Sequence, residues 1–345
     1  MRPATEDELA EMIRTARAPL AVHGGGTRLW PGKGQGTPLT TAAMTGITLY
    51  EPAALTLVVR AGTPLAEVHA TLAAQGQMLG FEPDTRPGST IGGVAAANAS
   101  GPRRVLAGAC RDAMIGLRMV DGTGTLIRSG GRVMKNVTGY DLVKLTAGSR
   151  GQLGVLTEIA FKTTPIPPAR AILHLPGLTA PAAIPALTAA LTAPFDVSAA
   201  QWQPGQGALL RIEGLPESVA IRRDALATHL SRFATVQIAP DSQPLPVCPN
   251  TQSGGDLWRI VTTPGAAPAL LAALPEPALI DWGGALIWVE LPRGQPPHLP
   301  PFPGHARKVN GIHPGLIPPE NPAIVALGAA IRSRFDPRGL FGGGA

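Results

Sequence analysis

The sequence predicts an α+β protein of more than one domain, and three observations predict it. Short apolar runs alternate with helical stretches of period 3.6 along 345 residues, enough chain to bury a sizeable core. Hydrophobic residues make up 44% and charged residues 15%, while 42 glycines and 37 prolines lie dispersed between the apolar runs as turn punctuation. After Thr163-Thr164-Pro165-Ile166-Pro167-Pro168 the style of the sequence changes, so a domain boundary is expected there. No internal repeat recurs at a fixed period.

The first helix opens on a capping box, Thr5 with Glu8, and is expected to end near Arg17. The apolar run Leu20 to His23 reads as a strand that delivers Gly24-Gly25-Gly26-Thr27. Pro31, Gly32, Gly34 and Pro38 then prevent a helix from starting, and Leu29 fills the last glycine place of Gly-x-Gly-x-x-Gly, so neither a Rossmann fingerprint nor a Walker A loop is present. A strand at Leu55 to Arg60 and a helix from Thr63-Pro64 to Gly76 follow, then the Gly/Ala-rich segment Pro87 to Pro102. Strands are expected at Met114 to Val120 and Gly124 to Arg128, the first ending in the turn signal Asp121-Gly122.

Beyond the boundary the order reads strand, helix (about 180 to 192), strand, strand (Ala208 to Glu213), helix (Ser218 to Leu230), strand, in paired βαβ-like units. Leu257 to Val261 and a hairpin over Leu279 to Trp288 extend that sheet. Pro296 to Pro303 reads as a connector, and a last helix, Ala323 to Arg334, leads to Phe335-Asp336-Pro337-Arg338-Gly339-Leu340-Phe341. The expected domains are 1–165, 166–295 and a connector with C-terminal segment, 296–345.

Composition narrows the function classes. The net charge of +6 is carried by scattered basic residues, with Arg103-Arg104 and Arg222-Arg223 the adjacent pairs, and aromatics are 4% of the chain. That pattern reads as a solvated basic surface with some attraction for acidic substrates, not as a nucleic-acid partner. Cys110 and Cys248 lack metal-type spacing, so no disulfide framework or zinc site is expected and a reducing cytoplasm fits. Glu6, Asp7, Glu8 and Glu11 argue against a secretory signal, and four prolines with His174 break up the uncharged stretch Ala171 to Phe195, so no membrane span is expected.

Two segments carry chemistry on their own terms. Gly24 to Thr27 reads either as a plain tight turn or as a nest whose inward N–H groups bind a phosphate. Pro87 to Pro102 reads either as a buried small-residue helix or as a surface against which a flat ligand lies, with Thr90, Asn98 and Ser100 supplying hydrogen bonds.

A third block, Gly130 to Glu158, decides between these readings. Together with Gly24 to Thr27, Ile91-Gly92-Gly93 and the C-terminal Phe335 to Phe341, it resembles the flavoproteins of the vanillyl-alcohol-oxidase type with a PCMH-type FAD-binding domain. Ser100-Gly101-Pro102-Arg103-Arg104 with Val133-Met134-Lys135-Asn136-Val137-Thr138-Gly139-Tyr140-Asp141-Leu142 resembles specifically the smaller, FAD-binding subunit of glycolate oxidase. The resemblance is dense over 1–165, present in outline at the C-terminus and thin between 170 and 320. It implies two small α+β subdomains holding FAD, a ferredoxin-like α+β cap, and a C-terminal segment returning to the FAD domain.

On the same footing the pyrophosphate would sit at Gly24, Gly25, Gly26, Thr27 and Arg28. Pro87, Ser89, Thr90, Ile91, Gly92, Gly93, Asn98, Ser100 and Gly101 would flank pyrophosphate and ring, and Gly148, Gly154 and Val155 would close on the adenine. Neither His23 nor Cys110 matches a flavin-attachment motif, so the FAD is expected to be non-covalent. The His-x-Gly-Asp-Gly-Asn-x-His run of the larger catalytic relatives is missing, and the seven histidines are single and widely spaced. Oxidising a 2-hydroxy acid needs a base for the hydroxyl proton and a cation for the carboxylate, and His305, Arg307, Lys308 and His313 are the downstream candidates. After Phe341 come Gly342 to Gly344 and Ala345 where relatives carry an Asn-Pro-Gly-Arg-like ending.

The implied function is that of an FAD subunit of a multi-subunit glycolate oxidase, handling electrons beside a larger flavoprotein subunit and an iron–sulfur subunit. The implied localisation is cytoplasmic, with any membrane association made through that complex. The alternatives are a free-standing FAD-dependent 2-hydroxy-acid dehydrogenase and a flavin-free assembly subunit. So complete a set of glycine motifs argues against the last.

Overall fold

The computed structural model describes residues 1–28, 36–131, 140–249, 254–309, 315–317 and 319–341. The chain forms two compact units, the first built from Met1–Ser100, Gly108–Ile166 and Glu320–Ala345, the second from Gly101–Ala107 and Pro167–Pro319. The division at 166–167 lies beside the expected boundary. Two stretches group otherwise than expected: 101–107 joins the second unit, and so does 296–319.

In the first unit, Thr5 caps the helix Glu6–Thr15 by accepting from the Glu8 N–H at 3.2 Å, and the Glu8 carboxylate accepts from the Ala4 N–H at 2.8 Å. The helix stops two residues before Arg17, where the Ala16 N–H turns back to the Ile13 carbonyl. Strand β1 (Leu20–His23) pairs in parallel with β2 (Thr37–Thr40), a strand the Pro38 signal concealed. The main sheet is antiparallel: β3 (Ile47–Glu51), β4 (Thr56–Arg60), β8 (Val155–Lys162), β6 (Met114–Val120) and β7 (Leu126–Gly130), in that spatial order. The last of these begins two residues late because the Asp121 carboxylate accepts from the Thr123 and Thr125 N–H groups and holds a turn there. A two-stranded piece pairs β5 (Gln77–Met78) with β9 (Thr164–Pro165).

Leu57, Val59, Leu117, Ile159 and Phe161 of this sheet pack against Leu65, Val68 and Leu72 of the helix Leu65–Ala73 and Ile91 and Val94 of the helix Ile91–Ala97. A second cluster joins Leu9, Ile13, Leu20, Leu39, Val155, Leu340 and Phe341. Here the C-terminal motif has a structural job. Arg338 donates to the Ile13 carbonyl at 2.6 Å, capping the end of the first helix, the Asp336 carboxylate accepts from the Leu340 and Phe341 N–H groups, and the Leu340 carbonyl accepts from the Leu20 N–H at 2.8 Å. The motif therefore fixes the start of β1, the strand that delivers the glycine turn. Gly342 to Ala345 lie outside the described residues.

The second unit is one eight-stranded antiparallel sheet, ordered β13 (Gln237–Ala239), β10 (Ala169–Pro176), β12 (Gly207–Gly214), β11 (Val197–Gln203), β15 (Leu279–Asp281), β16 (Leu286–Leu291), β14 (Asp256–Val261), β17 (His305–Lys308). The expected paired βαβ-like layer is thus realised with antiparallel neighbours. Helices Ala180–Thr192, Pro216–Leu230 and Ala267–Ala272 cover one face, where Leu173, Leu210, Trp258, Ile260, Ile287 and Ala306 form the core. The expected hairpin over 279–288 forms, with Leu279 opposite Trp288 and Asp281 opposite Leu286, and a 3₁₀ turn, Trp282–Gly284, in which Trp282 has φ 53°, closes it. Phe302, in the proline-rich connector, packs against this unit's core. Among the described residues no helix is long and apolar enough to cross a membrane.

Candidate functional site

The glycine blocks that are far apart in sequence meet in the first unit. A Cβ on Gly25 would overlap the Gly88 carbonyl oxygen and lie 2.7 Å from its carbon, and a Cβ on Gly24 would overlap the Thr90 hydroxyl. A Cβ on Gly92 would come within 2.6 Å of the Ala61 carbonyl oxygen. Glycine is required at 25 and 92 for clearance between backbones, and at 24 for clearance from the Thr90 side chain. In the turn Gly26 has φ +72°, the left-handed region that favours glycine, whereas Gly24 and Gly25 do not lie there.

The result is a cleft running along Gly24, Gly25 and Thr27, over the small-residue helix Ile91–Ala97, to Ser149–Gly151 and Gly154–Leu156. The helix is capped by Thr90, whose hydroxyl accepts from the Gly93 N–H at 3.3 Å. Gly92, Gly93, Ala96 and Ala97 give the cleft a floor without bulky side chains. Two polar atoms in its lining are buried and have no hydrogen-bond partner among the described residues: His23 Nδ1 and Ser149 Oγ. Burial pushes the His23 imidazole below its ordinary pKa, so at neutral pH it is an uncharged ring. Orphaned polar atoms in a glycine-walled cleft fit a polar, flat ligand that supplies the missing partners.

Charge gathers at the glycine turn. Arg28 pairs with Asp84 at 2.6 Å and bonds Ser89 and Thr27, Arg86 pairs with the other oxygen of Asp84 and donates to the Thr27 carbonyl at 3.1 Å, and Arg150 donates to the Arg28 carbonyl at 3.2 Å. Burial works against the Asp84 charge, but the guanidiniums of Arg28 and Arg86 hold its carboxyl below the usual carboxylate range. Arg28, Arg86 and Arg150 thus gather beside the N–H groups of the turn, a setting that suits a phosphate.

Of the residues singled out in the sequence, Gly24, Gly25, Thr27, Arg28, Thr90, Gly92, Gly93, Gly154 and Val155 line this cleft. Others hold it in shape. Ser89 anchors Arg28, Ile91 is fully buried in the core, the Asn98 carboxamide oxygen accepts from the Arg111 N–H, and the Ser100 hydroxyl accepts from the Cys110 N–H. Gly148 is fixed against the same helix through its N–H to the Ala95 carbonyl. Pro87 stands in the run leading to the Gly88–Thr90 contact. Gly101 groups with the second unit, where its carbonyl accepts from the Trp282 indole at 3.0 Å. Arg132 to Gly139 of the third block lie outside the described residues. Val22, His23, Thr41, Ala61, Ser149, Arg150 and Gly151 line the cleft without having been singled out for it; the last three adjoin Gly148, which was the signal available. The Cys110 thiol is fully buried and its pKa is pushed up strongly by that burial, so it is an inert core residue.

The downstream candidates lie on β17 in the second unit. His305 and Arg307 alternate with Ala306, a residue of the helix-covered core, and so share the opposite face. Lys308 instead forms an ion pair with Asp256 at 2.8 Å. His313 lies outside the described residues. Among the described residues no group of three or more His, Cys, Asp or Glu side chains could hold a metal.

Comparison with known proteins places these features in context. The FAD binding domain family matches residues 1–130. Glycolate oxidase subunit GlcE of Escherichia coli (strain K12) is 36% identical over 293 residues, covering 82% of this chain and 79% of that protein. Glycolate oxidase subunit GlcD of Bacillus subtilis (strain 168) is 34% identical over 172 residues, 48% of this chain but 36% of that longer protein. Among solved structures, p-cresol methylhydroxylase matches with a TM-score of 0.69 over 86% of this chain and 75% of that one at 13% identity, a likeness of fold.

Proposed function

We propose a function from a premise the comparisons supply: this chain belongs to the family of FAD-linked oxidoreductases that includes glycolate oxidase subunit GlcE, and its cofactor is FAD. The proposed activity is oxidation of a 2-hydroxy acid to the 2-oxo acid, carried out as one subunit of a glycolate oxidase together with a larger flavoprotein subunit and an iron–sulfur subunit. The observation that carries the cofactor site is the glycine-walled cleft with its two orphaned polar atoms. Gly24 to Thr27, with Arg28, Arg86 and Arg150 behind them, would hold the pyrophosphate by N–H groups and positive charge. His23 and Ser149 would meet polar groups of the cofactor, and the bare face of Ile91–Ala97 would let its ring system lie close to backbone. FAD, when bound, supplies a two-electron acceptor for a carbon that bears a hydroxyl.

The subunit reading is supported by the identity to GlcE and by the lack of the paired-histidine run in this sequence. Purifying the native protein from its own cells tests it. A second flavoprotein and an iron–sulfur subunit should co-purify, and glycolate-dependent dye reduction should be about a hundredfold or more faster in that assembly than in the isolated chain, a barrier difference of about 2.7 kcal/mol. Equal rates, with rapid bleaching of the isolated chain's flavin by glycolate, would establish the free-standing dehydrogenase instead. That second reading is favoured by one observation, that His305 and Arg307 share a sheet face.

A further inference from the structure

The helix Pro322–Phe335 carries no charged side chain before Arg332, and none of its residues is buried. Ile324 is 60% exposed, Leu327 61% and Val325 49%. With about 100° per residue, Ile324, Leu327, Gly328, Ile331 and Phe335 share one stripe of the helix. Its C-terminal end is seated: Ile331 and Phe335 pack against the core of the first unit, and the Phe335 carbonyl accepts from the Gly122 N–H at 2.8 Å. Ile324 and Leu327 continue the stripe beyond that support. A helix that is apolar all round belongs in an interior, and exposed apolar surface of this kind marks an interface.

Gly328 is an independent sign of close approach. A glycine inside a helix is less favourable than an alanine. The chain's own packing does not call for one here, because an added Cβ would meet only the tip of the Arg332 side chain, at 3.5 Å. At Gly92, by contrast, a Cβ would come within 2.6 Å of the Ala61 carbonyl oxygen. The gap at Gly328 thus suits a side chain supplied from outside the chain.

The patch complements itself. In an antiparallel pair of these helices with a two-fold axis between positions 327 and 328, Leu327 of each copy falls on Gly328 of the other and Ile324 falls beside Ile331. Glu320 then lies at the end that carries Arg332 and Arg334, and the helix dipoles oppose. A parallel pair would set glutamate against glutamate and arginine against arginine.

We propose that the helix Pro322–Phe335 is a dimerisation surface, and that its occupant is the same helix of a second copy of this chain, packed antiparallel with Leu327 of each on Gly328 of the other. A helix of 14 residues is about 21 Å long and about 10 Å wide. Its footprint of roughly 200 Å² falls short of the ~800 Å² per partner of a standard interface, so the pair is expected to be weak, with a Kd of about 1–100 µM. The inference is independent of the proposed activity.

Sedimentation equilibrium of the full, FAD-loaded chain from about 1 to 200 µM tests it. The parent should pass from monomer to dimer over that range. Leu327→Glu should stay monomeric throughout, a loss of about a hundredfold or more. Gly328→Leu, which fills the gap, should weaken the dimer about tenfold or more. Leucine is the better helix former, so a helix without a partner would gain from that change. Ser333→Glu, on the opposite side of the helix, should leave the dimer unchanged. Position 327 is mostly exposed and 328 half so, and the variants should therefore keep the parent's flavin content and melting temperature at low concentration. A parent that is monomeric across the range overturns the proposal, as does a dimer indifferent to Leu327→Glu. A monomer that Leu327→Glu destabilises would show the chain covering its own stripe, and flotation of the parent with phosphatidylglycerol vesicles, lost in Leu327→Glu, would show a lipid-binding face. Either contradicts the inference, and so does a native assembly with a single copy of this chain whose helix cross-links to a different subunit.

Discussion

Replacing Gly25 by alanine is expected to strip the chain of flavin while leaving the second unit folded. A single methyl there would overlap the Gly88 carbonyl oxygen and sit 2.7 Å from its carbon, so the 24–27 turn and the 88–90 segment must separate. Overpacking of this kind costs about 1–3 kcal/mol, and each 1.4 kcal/mol is about a tenfold loss of affinity. Because the contact is backbone against backbone, no side chain can rotate away to relieve it. The displacement also moves Arg86, whose guanidinium holds the Thr27 carbonyl, so the cleft loses its shape and its charge together. Gly265→Ala is the matched control, since an added Cβ there meets nothing within 4 Å. Visible flavin absorbance per chain reports the result, and parent-like flavin content in Gly25→Ala would remove the turn from the site.

The second large effect is expected at Asp84. Its carboxylate lies between Arg28 and Arg86, and the Arg28 side chain is only 8% exposed. Asp84→Ala would leave that guanidinium buried without its carboxylate, a change worth about 3–5 kcal/mol, lowering the melting temperature of the first unit by roughly 6–20 °C. The pH dependence separates charge from packing. The folded carboxyl titrates below its unfolded value, so its stabilisation is complete above the unfolded pKa and is lost as the pH falls through the folded one. Asp84→Asn should therefore be less stable than the parent at neutral pH, with the gap narrowing as the pH falls below about 5. Urea unfolding at several pH values measures it, and a gap independent of pH would mean the pair contributes by shape alone.

Local signals were legible in the sequence and distant ones were not. The capping box at Thr5 and Glu8, the strand into Gly24 and the small-residue helix at 91–97 depend on neighbours a few residues away, and the structure has them where the pattern places them. The role of Gly25 depends on Gly88, and that of Arg28 on Asp84, which only the fold brings together. The left-handed Trp282 in the turn of the 279–288 hairpin carries no propensity signal, because an indole there is held by tertiary contacts. Strand β17 was hidden for a similar reason: His305-Ala306-Arg307-Lys308 shows one apolar residue, and the strand it pairs with, β14, lies far along the chain.

The central claim, that the glycine-walled cleft of the first unit holds FAD without a covalent bond, is tested most directly by acid precipitation of the purified, untagged native chain. Cys110 is sealed in the core, and neither it nor His23 stands in a flavin-attachment motif, so no attachment is expected at either. The expected result is a yellow native protein carrying about one FAD per chain, which passes entirely into the supernatant with acid and leaves a white pellet. A yellow pellet would contradict the non-covalent site, and a colourless native protein that takes up no added FAD would contradict the cofactor assignment itself.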